Sequence, residues 1–117
     1  MKRDSRLYFQ DIVESISAIE EYTGTLTEEG FYKNKQARDA VIRRLEIIGE
    51  AAKNVPEDIR ARYPAIPWKD IAGMRDVLIH EYFGVNLKRV WDVIKTHLPE
   101  LKHTALLILK EHSKKPT

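Results

Sequence analysis

Between Trp68 and Tyr82 the chain reads WKDIAGMRDVLIHEY, and Arg75, His80 and Tyr82 in that stretch carry groups suited to acid–base and charge-stabilising chemistry. On a helix turning about 100° per residue, Asp76 and His80 are i,i+4 neighbours on one face. The Asp76 carboxylate is then placed to accept a hydrogen bond from one imidazole nitrogen. That fixes the tautomer and leaves the other nitrogen free to move a proton. Arg75 and Tyr82 are i,i+7 partners on another line, roughly 140° away from His80 by the same count. One ideal helix does not easily aim Arg75 and His80 at the same atom. A cleft between two copies of the helix does, each copy contributing its arginine and histidine, so the spacing favours a dimeric site.

Each of these residues also has a plainer reading. A lone arginine on a helix is usually a surface ion-pair partner, and a lone histidine a polar residue at the core edge. A tyrosine at a helix end usually covers apolar surface and keeps its hydroxyl in water. Spacing alone does not choose between the two readings.

The helix that carries them needs a scaffold, and the sequence describes one built of helices. Asp4 and Ser5 are suitable caps for a first helix reaching about Tyr22, with Tyr8, Ile12, Ile16 and Ile19 as its buried stripe and Gly24 closing it. Residues 25–34 are polar and contain Gly30, which predicts a loop pinned by Phe31 and Tyr32. A second helix from about Lys35 to Val55 buries Ala37, Val41, Leu45, Ile48, Ala52 and Val55. Gly49 inside it costs about 1 kcal/mol relative to alanine, so close approach of another helix is its expected reason. Pro56-Glu57-Asp58 opens a short helix. The third long helix spans about Pro67 to Tyr82, with Gly84 and Asn86 signalling its end. Asn86 caps a fourth containing Val90, Trp91 and Ile94, and Pro99 separates it from, or kinks it into, a last one ending near 110–113. No stretch alternates as a half-buried strand would. The expectation is an all-α bundle of four to five helices forming a single domain over residues 1–112, with a frayed tail at 113–117.

Composition narrows the function classes. At 117 residues there is room for one core, so a composite site is expected to be completed by a second subunit. With no cysteine, disulfides, thiolate zinc sites and a cysteine nucleophile are excluded, and a cytoplasmic setting is the natural expectation. The longest apolar run, Ala105–Leu109, is far too short for a membrane span, and no secretory signal is readable in MKRDSRLYFQ. Twenty Lys and Arg stand against 18 Asp and Glu, so overall charge does not identify a nucleic-acid binder. Local basic clusters occur at Lys33, Lys35 and Arg38, at Arg43-Arg44, and at Lys88-Arg89; solvated helix faces are their default reading. Glu100 and His103 have the i,i+3 spacing of one half of a di-iron pair, but such a site needs two pairs plus further glutamates facing inward. This chain has one pair, and Lys102 and Thr104 beside it suggest a wet face, so no metal and no cofactor is expected. His97 and His112 have no partner at useful spacing. Trp68 and Trp91 read as core or interface anchors.

The pattern Arg75-x4-His80-x-Tyr82 resembles the signature of the HepT-like branch of the HEPN superfamily. The context resembles it as well: Ile48-Gly49-Glu50-Ala51-Ala52, Ile66-Pro67-Trp68, Gly73-Met74-Arg75, His80-Glu81-Tyr82, Val90-Trp91 and Leu98-Pro99-Glu100-Leu101, all in order. Asp76 departs from the family, which often has Asn there; a carboxylate at that place would raise the His80 pKa. The resemblance implies a HEPN-type bundle with its active cleft at a homodimer interface. It implies an RNA substrate, cleavage without metal by Arg75 and His80, and support from Asp76, Tyr82 and Glu50, the last as a partner for Arg75. It further implies the toxin of a toxin–antitoxin pair, neutralised by a minimal nucleotidyltransferase that can transfer AMP to Tyr82. The alternative is a non-catalytic HEPN module that binds nucleotide or its nucleotidyltransferase partner.

Overall fold

The computed structural model describes residues 4–80 and 86–114, with side chains described for all of these except 75–80 and 112–114. Among them there is no strand, and the elements run α1 (Ser5–Thr23), α2 (Glu28–Lys33), α3 (Lys35–Asn54), α4 (Glu57–Arg62), α5 (Trp68–His80) and α6 (Leu87–Asp92). A π turn (Val93–His97) then leads into α7 (Leu98–Lys114). Four long rods make the bundle: α1, α3, α5 and the continuous run from α6 through α7. Of the expected frayed tail, residues 115–117 lie outside the described residues, as does Gly84.

The helix starts follow their caps. Asp4 accepts the amide of Arg6 at 2.9 Å, Asn34 that of Ala37 at 2.9 Å and Asn86 that of Arg89 at 3.2 Å. Each satisfies an amide that the first turn leaves without a helical partner. Gly24 ends α1 in ordinary right-handed geometry, φ −57°. Glycine is needed there because a Cβ would stand 2.9 Å from the Glu20 carbonyl oxygen, not because the turn is left-handed.

Packing follows the apolar stripes. In α1 the fully buried line is Phe9, Ile12, Ile16 and Ile19, so Phe9, not the half-buried Tyr8, starts it. Val41, Leu45, Ile48 and Ala52 of α3 are fully buried, α3 packs against both α1 and α5, and α7 closes over α1 with Leu98, Leu101, Ala105 and Ile108. Lys102 of α7 bonds Glu20 of α1 at 2.6 Å, and Tyr63 bonds Glu111 at 3.0 Å; burial and that carboxylate both raise the Tyr63 pKa.

Two details differ from the sequence expectation. The predicted loop at 25–34 contains helix α2. Thr27 Oγ1 accepts the Gly30 amide at 3.0 Å, Tyr32 and Lys33 bond Glu28 and Glu29 one turn back, and Phe31 is fully buried against Trp91 with ring centroids 5.4 Å apart. Of the two expectations at Pro99, separation is not what is seen: α6, the π turn and α7 follow one another without a gap. The Leu98 amide bonds the Val93 carbonyl, five residues back. This widened turn lets the backbone absorb a residue that cannot donate a helical hydrogen bond.

Candidate functional site

Helix α5 is the platform for the predicted site, and its orientation is fixed by its first two turns. Pro67 precedes it and supplies a carbonyl to the Ile71 amide at 3.0 Å. Asp70 sits in the first turn, where a carboxylate complements the helix dipole. Trp68 is buried, donates its indole N–H to the Tyr63 carbonyl at 3.0 Å and meets the Phe9 ring edge-on at 6.3 Å. Ile71 and Met74 are partly buried against the same core. These three residues define the inward side of α5, and α3 is the helix it packs against.

Backbone register places the motif relative to that side. The Arg75 position is one turn beyond Ile71 and falls between the Trp68 and Ile71 lines, on the inward side of the helix. His80 and Asp76 share the opposite side with Gly73, which lies seven and three residues before them. The helix is unbroken from Trp68 to His80, so the 140° between the Arg75 and His80 positions stands as helix geometry dictates. Tyr82 lies outside the described residues.

Glu50 sits on α3, exposed, at the edge of a shallow open depression of about 150 Å³ between α1 and α3. Tyr8 and Asp11 of α1 and Ile47, Ala51 and Asn54 of α3 complete its lining. Asp11 and Tyr8 carried no signal in the sequence: neither belongs to a motif, and only the packing of α1 on α3 brings them beside Glu50. Two carboxylates make this depression a poor resting place for phosphate and a suitable neighbour for a cation.

The remaining candidates are dispersed. Lys33 pairs with Glu29 at 2.9 Å, Lys35 with Asp39 at 3.2 Å and Arg43 with Glu46 at 3.9 Å, each within its own helix. They are solvated helix faces, as the default reading has it. Lys88 and Arg89 are exposed on α6, and Lys95 lies 4.7 Å over the Trp91 ring. Glu100 and His103 are exposed on α7, and among the described residues no group of three metal-ligating side chains gathers. No helix among the described residues is long and apolar enough to cross a membrane. Both tryptophans are buried anchors.

The bundle is all-α among the described residues, as in the HEPN type. The family described as Ribonuclease HepT-like matches residues 12–108, a span that encloses α5 and the whole motif. The chain belongs to the HepT-like ribonuclease family. It is 51% identical over 97% of its length to a Methanocaldococcus jannaschii protein named "Gamma-glutamylcyclotransferase and putative RNase", of which it spans 51%. It is 49% identical over 87% of its length to the "Probable ribonuclease HepT" of Thermococcus cleftensis, covering 93% of that protein. No solved structure matches the chain.

Proposed function

We propose that this protein is a metal-independent endoribonuclease whose cleft forms between two protomers, and that Arg75 and His80 do the chemistry. The observation that carries the reading is the position of the family match: it encloses an unbroken α5 on which Asp76 and His80 fall one turn apart. One imidazole takes the proton of an RNA 2′-hydroxyl as the 2′-oxygen attacks the adjacent phosphorus. The bond from phosphorus to the 5′-oxygen breaks, and that oxygen takes a proton from a water molecule, so one imidazole and the other protomer's Arg75 are enough for the step. The products are a 2′,3′-cyclic phosphate and a 5′-hydroxyl. The Arg75 guanidinium stabilises charge on the phosphoryl oxygens in the transition state, where its forked donors match them. Asp76 holds the His80 tautomer, and Glu50, on the helix that α5 packs against, orients Arg75.

In the cell the protein acts as the toxin of a toxin–antitoxin pair. Its partner is a minimal nucleotidyltransferase that joins the Tyr82 oxygen to the α-phosphorus of ATP and releases pyrophosphate. The attached AMP brings bulk and negative charge to the cleft and repels RNA. A second reading, a non-catalytic module that binds nucleotide or that partner, draws on the ion pairing of Lys33, Lys35 and Arg43 within their own helices. RNA cleavage by purified protein in EDTA separates the two. The parent is expected to cut, and His80→Ala to cut about 10²–10⁴-fold more slowly, with Arg75→Ala also impaired. Equal cleavage by all three removes these residues from the mechanism, and no cleavage by the parent leaves the binding module.

A further inference from the structure

Helix α1 places polar residues on a side where another helix packs. Tyr8, Asp11 and Ser15 stand at i, i+3 and i+7, within about 60° of one another around the axis. Tyr8 and Asp11 line the depression together with Ile47, Glu50, Ala51 and Asn54 of α3, and Asp11 is half-buried. Ser15, one turn further along the stripe, is 1% exposed, and its hydroxyl has no hydrogen-bond partner among the described residues. Native folds rarely leave a buried hydroxyl unpaired, so this one calls for a donor. The half-buried carboxylate one turn away is suited to a cation.

The register of α5 brings a cation to that side. Trp68 meets Phe9, the residue after Tyr8, edge-on at 6.3 Å, so the Trp68 line of α5 is the one turned toward α1. Arg75 is seven residues after Trp68, within about 20° of the same line and about 10.5 Å further along the axis. Long side chains on a helix lean toward its N-terminus. From the Arg75 position that direction leads back toward Trp68 and the contact with α1.

We infer that Asp11 is a positioning residue for Arg75: its carboxylate, together with that of Glu50, seats the guanidinium at the depression between α1 and α3. The Ser15 hydroxyl offers that donor-rich group a further acceptor. The inference rests on the ribonuclease reading and deepens it, since Asp11 acts on the reaction only through Arg75. Asp11 is the firmer of the two partners, because Glu50 is exposed and water screens its charge. A guanidinium carries five N–H donors in a rigid plane. A carboxylate held against one edge fixes that plane and leaves another edge for a phosphoryl oxygen. The depression is open, which keeps that edge within reach of RNA and of a second protomer.

The test is a double-mutant cycle of Asp11→Asn and Arg75→Ala in the full chain, read by urea unfolding and by steady-state RNA cleavage in EDTA. Asp11→Asn alone should lower kcat about 10–100-fold with KM little changed, and Asp11→Glu should recover part of the loss. In the Arg75→Ala protein, Asp11→Asn should cost no further activity, because the group it positions is already gone. Its effect on the unfolding midpoint should likewise differ between the two backgrounds, as expected for residues in contact. A merely structural Asp11 would lower the activity of both backgrounds by the same factor, and that result overturns the inference. Unfolding effects that simply add overturn it too. The unfolding cycle needs no RNA, so the two possible failures are told apart: a parent that does not cut removes the ribonuclease reading, whereas additive unfolding removes the Asp11–Arg75 pair.

Discussion

Gly49 and Gly73 each place a glycine inside a long helix, one on α3 and one on α5, and their surroundings are opposite. Gly49 is buried in the helix that packs against both α1 and α5, whereas Gly73 stands partly exposed with open space where a Cβ would be. Burial in the core thus accompanies the glycine of α3, whereas among the described residues nothing lies where a Cβ on the glycine of α5 would be. Along α3 the residue types are dictated by packing. On the outward line of α5 they are not, and that line carries His80. The comparison sets a helix whose residues are fixed by packing against the helix on which the proposed chemistry lies.

If that separation is sound, damage to α3 is felt first as lost stability. Leu45, fully buried on α3, is the sharpest place to break it: Leu45→Ala should cost about 2–5 kcal/mol of folding free energy. Urea denaturation measures this, and any RNA cleavage should fall only as far as the folded fraction falls. A smaller effect sharpens the contrast between the glycines. At Gly49 the helical gain of about 1 kcal/mol from alanine is opposed by overpacking of about 1–3 kcal/mol. Gly49→Ala should therefore lower Tm, whereas Gly73→Ala, whose methyl meets no described residue within 4 Å, should raise it by a few degrees. A Tm that rises equally in both variants would mean that neither glycine is held by packing, and the comparison would lose its basis.

The scaffold was largely legible in the sequence because the stripes are dense. Val41, Leu45, Ile48 and Ala52 recur at helical spacing with no competing pattern, and every one is fully buried. Capping residues were equally readable, since Asp4, Asn34 and Asn86 stand just before periodic apolar runs and their side chains bond as caps. Helix α2 was missed because its six residues bury only one apolar side chain, Phe31, and Gly30 reads as a turn. Its stability is tertiary, resting on the seat of Phe31 against Trp91, and no local pattern reports that. The start of the α1 stripe differs for a related reason: Tyr8 and Phe9 both fit a helical spacing to Ile12, and it is tertiary packing, with Trp68 among the residues of the same core, that buries Phe9. In the candidate site, the chemistry-bearing types and their angular separation were readable, as they depend only on helix geometry. The depression joining Glu50 to Tyr8 and Asp11 was not, because it arises from residues about forty apart meeting where α1 crosses α3. The openness at Gly73 was equally hidden, since sequence gives the glycine but not its neighbours.

The proposal of a shared cleft rests on the 140° between the Arg75 and His80 positions, which one helix does not reconcile and two copies do. Mixing Arg75→Ala and His80→Ala proteins, unfolding them together and refolding the mixture tests it most directly. A mixed dimer then holds one cleft with an intact arginine from one protomer and an intact histidine from the other, so RNA cleavage in EDTA should reappear although each variant alone is impaired. A mixture no more active than its two components, with mixed dimers shown to be present, would contradict the two-protomer site.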